Sequence, residues 1–191
     1  MRRSADNGIR RLYHYEPLQP AYLCDTLREQ RVHFSSPANF NDPWDCHPWF
    51  DPTEVRDPTR RAQWIAFLER HINPADEQFL ASHGLAWRDN LAFLTRTIEK
   101  MTATICQVNA ERWRIYCLTP HPDSQLMWAH YGDKHRGICI ELDTTIPLVG
   151  RAAQVTYHET FAPISSASFE DWGRVAATLL AKSEAWAYED E

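Results

Sequence analysis

The strongest pattern along the chain is a stripe of apolar residues separated by steps of three and four. Its members are Leu91, Leu94, Ile98, Met101, Ile105 and Val108. This spacing predicts one helix of about five turns whose apolar face packs on its neighbours. Asp57-Pro58 and Asn73-Pro74 each place a capping residue before a proline, which is typical of a helix start. We therefore predict a helical insertion over residues 57–110.

Apolar residues at every second position predict short strands on both sides of that insertion. After Gly137, apolar Ile138, Ile140 and Leu142 alternate with Cys139, Glu141 and Asp143. Shorter alternating runs cover 12–15, 32–35, 112–119 and 154–158. The chain is therefore predicted to be α+β, with a small split antiparallel or mixed sheet as its core.

Three further helices are predicted. One follows the first strand and buries Tyr22, Leu23 and Leu27; another covers 169–182. A short helix carries Met127 and Trp128, with Asp123 or Ser124 as its cap, and Gly132 is expected to end it in the left-handed conformation.

The last residues, 185–191, begin like a strand, on which Glu189 and Glu191 would point the same way. The chain stops within this pattern, so we expect a truncated chain whose Glu191 is frayed.

Residues 37–52 contain four prolines in sixteen residues, which predicts an irregular loop. Long loops of this kind are often functional. This one carries Asn39, Asn41 and Asp42 among aromatic residues, so we count Asn41 and Asp42 as candidate binding residues.

Composition narrows the range of functions. With 191 residues the chain is predicted to be one domain, residues 1–10 being a loose tail. A net charge of −6 argues against unspecific binding to a phosphate backbone. The five cysteines lack close metal-ligand spacing, which favours reduced thiols in a cytoplasmic protein and no metal. The arginine-rich start has no apolar stretch behind it, so neither a signal peptide nor a membrane anchor is predicted.

Common catalytic and phosphate-binding motifs are missing. The sequence has no G-x-S-x-G, no glycine-rich phosphate loop and no H-E-x-x-H, and only six glycines in all. If the chain binds a nucleotide, side chains must hold it. Eight Trp, eight Phe and seven Tyr supply aromatic surface for a planar ligand.

Four segments carry a resemblance to a known family: LYHY, VHFSSPANFNDPWDC, MWAHYGDKHRGICIEL and KSEAWAYEDE. Together they span nearly the whole chain, and they resemble the bacterial family called domain of unknown function 2971. Its layout is similar to the ADP-ribosyltransferase-like fold. The resemblance implies NAD as a substrate, no metal, and an enzyme of phage defence or of a toxin system.

The resemblance also implies roles for individual residues. A strand histidine corresponds to His14, a small hydroxyl residue to Ser35 or Ser36, and a late catalytic glutamate to Glu189 or Glu191, with Glu141 as the rival. The remaining candidates for nucleotide binding are Tyr15, Trp128, His130 and Tyr131. We expect His14 and the Ser35 or Ser36 hydroxyl to face one cleft, bordered by residues 128–131.

These residue types suit cleavage of a nicotinamide–ribose bond. A carboxylate stabilises the positive charge that develops on the sugar, a histidine holds the ribose, and aromatic faces stack on the base. The group that accepts the ADP-ribose would lie on a nucleic acid or a protein. Two alternatives stay open: a non-catalytic module that binds a nucleotide or a protein, and a nuclease-like activity using His14, His130 and Glu141.

Overall fold

The computed structural model describes residues 3–42, 44–71, 78, 81–82, 86–161, 163–166 and 177–191. It is mixed α+β with small sheets, as predicted. The chain divides into two compact units. The first comprises Met1–Asp45, Ala110–Phe161 and Leu180–Glu191, and the second comprises Cys46–Asn109 and Ala162–Leu179. The sequence had predicted one domain with a helical insertion at 57–110.

The first unit is organised around an antiparallel pair of strands, β1 (Arg11–Glu16) and β2 (Ile138–Asp143). Their register runs from Arg11 opposite Asp143 to Glu16 opposite Ile138. Both strands confirm the period-two predictions. Leu12 and Tyr15, which lie on opposite faces of β1, are both buried, and His14, on the same face as Leu12, is half-buried.

The strands predicted at 32–35 and 112–119 do not form. Each segment contributes only isolated bridges, Ser35 with Ile115 and Thr119 with Tyr13. Pro37 has no N–H to extend the ladder after Ser35, and residues as far as Arg112 belong to the preceding helix. Alternating side chains were therefore present without enough backbone pairing to make strands.

A second, parallel pair joins β3 (Thr156–His158) and β4 (Ala181–Ser183). β3 confirms the strand predicted at 154–158. Residues 169–176 of the helix predicted at 169–182 lie outside the described residues, but its predicted end is wrong because β4 occupies 181–183. The strand predicted at 185–191 is also wrong, since Glu184–Glu189 forms a 3₁₀ helix capped by Ser183 Oγ, which accepts from the Ala185 N–H.

Two helices of the first unit differ from expectation in detail. α1 (Pro20–Glu29) has no buried residue; Tyr22 is 43% and Leu27 is 70% exposed, so the predicted buried stripe is wrong. A short helix at Gln125–His130 is capped by Ser124, whose Oγ accepts from the Met127 N–H at 3.4 Å.

Gly132 does not take the left-handed conformation that was predicted; the next three residues, 133–135, do. Gly132 is required for another reason: a Cβ there would lie 2.9 Å from the Trp128 carbonyl oxygen.

The second unit has an apolar core built on two long helices, α2 (Pro58–His71) and α3 (Leu91–Arg112). Asp57 caps α2 as predicted, its Oδ1 accepting from the Arg60 N–H at 2.8 Å. The stripe on α3 is confirmed in its centre, where Leu94 and Ile98 are fully buried. The core consists of Phe50, Val55, Trp64, Phe67, Leu68, Trp87, Leu94, Ile98 and Ile164. The proposed helix start at Asn73-Pro74 lies outside the described residues.

We number the short helix Gln125–His130 as α4. In the parts of the chain that the structure describes, no helix combines the length and apolar character needed to cross a membrane.

Candidate functional site

The first unit contains a cleft of about 540 Å³, a size common for small-molecule sites. It is lined by β1, by the start of α1, by residues between 33 and 45, by Ile115 and Cys117, by α4, and by Lys182 and Glu191 near the end of the sequence. Seven of the predicted site residues line it: His14, Tyr15, Ser35, Asn41, His130, Tyr131 and Glu191. Ser36, Asp42, Trp128, Glu141 and Glu189 do not.

His14 is held in one orientation by its neighbours. Its Nδ1 lies 2.8 Å from the Cys117 carbonyl oxygen, and because that oxygen can only accept, Nδ1 carries the proton. The ring stacks on Tyr116 with 4.0 Å between centroids. Burial lowers the pKa of His14, although the bond to Cys117 opposes the shift. The neutral ring therefore turns an unprotonated Nε2 away from Cys117, 3.8 Å from Glu16 Oε2.

Lys182, which the sequence analysis did not single out, is the centre of a buried ionic cluster. Its Nζ lies 2.7 Å from Glu189 Oε2, 2.8 Å from Glu191 Oε2 and 3.4 Å from Asp45 Oδ2. β4 supplies the lysine. Asp190 adopts the left-handed conformation, and this turn after the 3₁₀ helix lets both flanking glutamates reach one ammonium group.

The charges of this cluster do not cancel, since one ammonium faces three carboxylates. Burial acts to lower the pKa of Lys182, but Glu191 and the other anionic groups outweigh it and raise that pKa. Burial raises the pKa of Asp45 to about 6 despite the attraction of Lys182. Burial likewise raises the pKa of Glu191. Asp45 therefore takes up a proton in mildly acidic solution.

Glu189 is fully buried, and both of its carboxylate oxygens are engaged. Oε2 contacts Lys182, and Oε1 accepts a short hydrogen bond from the Tyr131 hydroxyl. The Asn41 side-chain amide donates to the same hydroxyl at 3.0 Å. Burial, followed by the bond to Glu189, raises the pKa of Tyr131. Glu189 thus joins the cluster to the wall of the cleft without reaching the cleft itself.

Glu191 is held on both sides of its backbone. Its N–H donates to the Tyr157 hydroxyl at 2.9 Å, and its carbonyl oxygen accepts from the Val155 N–H at 2.8 Å. The expectation of a frayed Glu191 is therefore wrong. Anchoring of the backbone fixes the carboxylate beside Lys182 and at the cleft wall.

Glu141 and Ser36 point to other partners. Glu141, on β2, pairs with Arg11 at 2.9 Å and accepts from the Tyr13 hydroxyl at 3.0 Å, and its side chain is about half exposed. Ser36 Oγ donates to the Ala110 carbonyl oxygen at 2.6 Å. Of the three residues of the nuclease-like alternative, His14 and His130 line the cleft and Glu141 does not.

Asp42 and Trp128 have local structural contacts. Asp42 Oδ1 accepts from the Trp44 N–H at 2.9 Å, which fixes a turn in the proline-rich loop. Trp128 Nε1 donates to the Pro122 carbonyl oxygen, and its ring packs edge-on against Tyr15. Trp128 therefore supports Tyr15 from behind the cleft wall, whereas Met127, His130 and Tyr131 of the same segment face the cleft.

Three charged residues of the cleft, Lys182, Asp45 and Glu16, are not among the candidates from the sequence. Lys182 had been placed at the end of a predicted helix, and Asp45 in a loop with no assigned role. A usable signal was present: Lys182 is the one cation in a closing segment that holds Glu184, Glu189 and Glu191 among aromatic residues.

Among the described residues, no group of three or more His, Cys, Asp or Glu side chains is arranged to hold a metal ion. Comparison with protein-family models, with curated proteins and with solved structures gave no match. The function therefore has to be inferred from the chemistry of the cleft.

Proposed function

We propose that the cleft of the first unit binds NAD and that the protein is an ADP-ribosyltransferase-like enzyme. One observation carries this proposal: His14, Ser35 and Glu191, brought from three distant parts of the sequence, line the same cleft. Their order along the chain, a strand histidine, a small hydroxyl residue and a late glutamate, is the order that the resemblance to domain of unknown function 2971 implies.

In this proposal His14 and Glu191 have defined tasks. His14 Nε2 accepts a hydrogen bond from a ribose hydroxyl, because Nδ1 is committed to Cys117. The Glu191 carboxylate stabilises positive charge on the ribose as the bond from its anomeric carbon to the nicotinamide nitrogen breaks. The bonding electrons leave with neutral nicotinamide. A lone pair of the acceptor forms the new bond to the anomeric carbon, and the acceptor loses its proton.

Glu189 has a supporting task. Because Lys182 and Tyr131 occupy its two oxygens, it cannot meet the ribose while those contacts hold. We assign it to positioning Lys182, which in turn orients Glu191. The acceptor, a nucleic acid or a protein, and the setting in phage defence or a toxin system rest on the resemblance alone.

Release of nicotinamide from NAD, followed by chromatography, tests the proposal. Glu191→Gln should lower turnover about 10²–10³-fold, as expected for loss of one preorganised electrostatic group. Glu141→Gln is the matched control, since Glu141 lies outside the cleft lining, and it should leave turnover unchanged. A large loss of turnover in Glu141→Gln, with full activity in Glu191→Gln, would show that Glu141 on β2 is the catalytic carboxylate.

A second candidate function is nucleotide binding without catalysis. The observation that favours it is the ion pair between Glu191 and Lys182, which neutralises the carboxylate that cleavage needs. Calorimetric titration with NAD separates the two candidates. Binding of NAD without release of nicotinamide would support the non-catalytic module, and binding with release would support the enzyme.

A further inference from the structure

The charges that line the cleft are unfavourable for a phosphate. The lining contains three carboxylates, those of Glu16, Asp45 and Glu191, and one permanent cation, Lys182; no arginine is among the described lining residues. Proteins usually bind phosphate with arginine, lysine or a helix N-terminus. The start of α1 meets the cleft through its N-cap residue Gln19, but Pro20 at the first helical position has no N–H to donate. Here the only ammonium group in the described lining already has three carboxylates within 3.4 Å.

Two of the lining carboxylates lack full compensation. Asp45 is 8% exposed, and its Oδ1 is buried without a hydrogen-bond partner among the described residues. A buried acceptor left without a partner is costly, so a donor or a cation in the cleft would be favoured there. Glu16 lies 3.8 Å from His14 Nε2, and a neutral imidazole does not offset its charge.

Aromatic side chains supply the rest of the recognition surface. Tyr13, Tyr22, Phe40 and Tyr131 line the cleft together with His14, whose ring stacks on Tyr116. The faces of aromatic rings attract cations and stack on planar rings. Excess negative charge and aromatic faces together match a flat, positively charged ring.

We propose that the cleft recognises a cationic N-ribosylated aromatic ring that carries no phosphate, so that a pyridinium nucleoside is its preferred ligand. The inference rests on the proposed function and narrows its substrate class. When NAD binds, its nicotinamide nucleoside half enters the cleft, and its phosphates gain no contact there. Phosphate should therefore add nothing to affinity, and the positive charge of the ring should add much.

Calorimetric titration of the whole chain with four probes tests this inference. The probes are nicotinamide riboside, its 5′-phosphate (nicotinamide mononucleotide), NAD, and reduced nicotinamide riboside, whose ring is uncharged but similar in shape. We expect nicotinamide riboside to bind at least as tightly as the two phosphorylated probes. We expect the reduced form to bind about tenfold more weakly or worse, from loss of its charge.

The outcomes separate this inference from the proposed function. Tighter binding of NAD or the mononucleotide than of the riboside, with cleavage of NAD, overturns the inference and leaves the function standing. Preferential binding of the riboside without any cleavage of NAD supports the inference and overturns the enzyme. Equal affinity for the oxidised and reduced ribosides overturns the inference, and no binding of any probe overturns both.

A pair of variants locates the recognition. Glu16→Gln removes one charge from the cleft and should weaken the binding of nicotinamide riboside about tenfold. The affinity for the reduced riboside should stay unchanged. Glu29→Gln removes one charge from an exposed position of α1 outside the cleft lining and should change neither affinity. Equal effects of the two variants would show that the overall charge of the protein, and not the cleft, attracts the ligand. Circular dichroism of both variants confirms that they are folded.

Discussion

The interiors of the two units differ in chemistry. The second unit buries a continuous set of apolar side chains, with Trp64, Leu94 and Ile98 fully enclosed. The first unit buries Lys182 and Glu189 beside apolar residues, and its interior opens into the cleft. Among the described residues, one interior is mainly apolar, and the other is charged and accessible from the cleft.

This difference indicates what each interior contributes. Apolar burial stabilises a fold by about 25 cal/mol per Å², so the second unit needs no further explanation of its stability. A buried ion pair contributes little net stability, because desolvation of both charges offsets their attraction. We infer that the cluster around Lys182 is present for its action at the cleft, and its parts should be sensitive to change.

The largest expected effect comes from removing the centre of that cluster. Lys182→Met would leave Glu189, Glu191 and Asp45 buried without their cation, and unfolding free energy should fall by about 3–5 kcal/mol. Urea denaturation measures the loss. Lys100→Met, at an exposed position of α3, is the control and should change little. An unchanged unfolding free energy for Lys182→Met would show that the three buried carboxyl groups do not depend on their cation.

A slightly smaller loss is expected in the apolar interior. Ile98→Ala removes methyl groups from a fully buried position of α3 and should cost about 2–5 kcal/mol through lost burial and a cavity. The thermal midpoint should fall accordingly. Val108→Ala, on the same helix but partly exposed, should cost clearly less. Equal losses at both positions would contradict the difference in burial along α3.

The pH dependence of stability should distinguish the charged interior. Burial raises the pKa of Asp45 from 3.8 to about 6. A carboxyl group whose pKa is raised by folding stabilises the fold below its unfolded value, and this contribution is lost as pH rises through its folded value. The stability of the native protein relative to Asp45→Asn should therefore decrease as pH rises from about 4 to about 6.

Urea denaturation of both proteins across this range measures the difference. Asp143→Asn is a useful control, because the backbone hydrogen bond from Thr145 lowers the pKa of Asp143 and confines its effect to more acidic solution. A relative stability of the native protein that increases with pH would show that the ion pair with Lys182 outweighs the burial of Asp45.

The smallest effect is expected at the exposed stripe of α1. Leu27 is 70% exposed, so Leu27→Gln should change unfolding free energy by no more than about 0.5 kcal/mol. This variant sharpens the comparison with Ile98, since both residues were predicted to be buried from helical spacing. A loss of several kcal/mol would mean that the stripe of α1 is covered in solution.

How much the sequence could predict depended on the range of the interactions. The helix now seen at Leu91–Arg112 and the strand at Ile138–Asp143 were predictable because their side-chain periods are local. Ser124 was among the predicted caps because capping requires only the next three residues. The apolar spacing on α1 was equally regular, but the stripe is exposed. Spacing alone does not show whether another element packs against a helix face.

Seven candidate residues named from the sequence line the cleft, but the sequence did not predict how they are arranged. The sequence by itself determined that His14 lies on a strand and that residues 37–52 form an irregular loop, since both follow from local chemistry. Only the tertiary structure decided that Asp45, Lys182 and Glu191 meet, because no periodicity encodes a contact between a loop, a strand and a distant turn. It also decided that Glu189 faces inward and Glu191 faces the cleft, through the left-handed backbone of Asp190. A single residue in that conformation redirects the chain, and a pattern of side chains gives no sign of it.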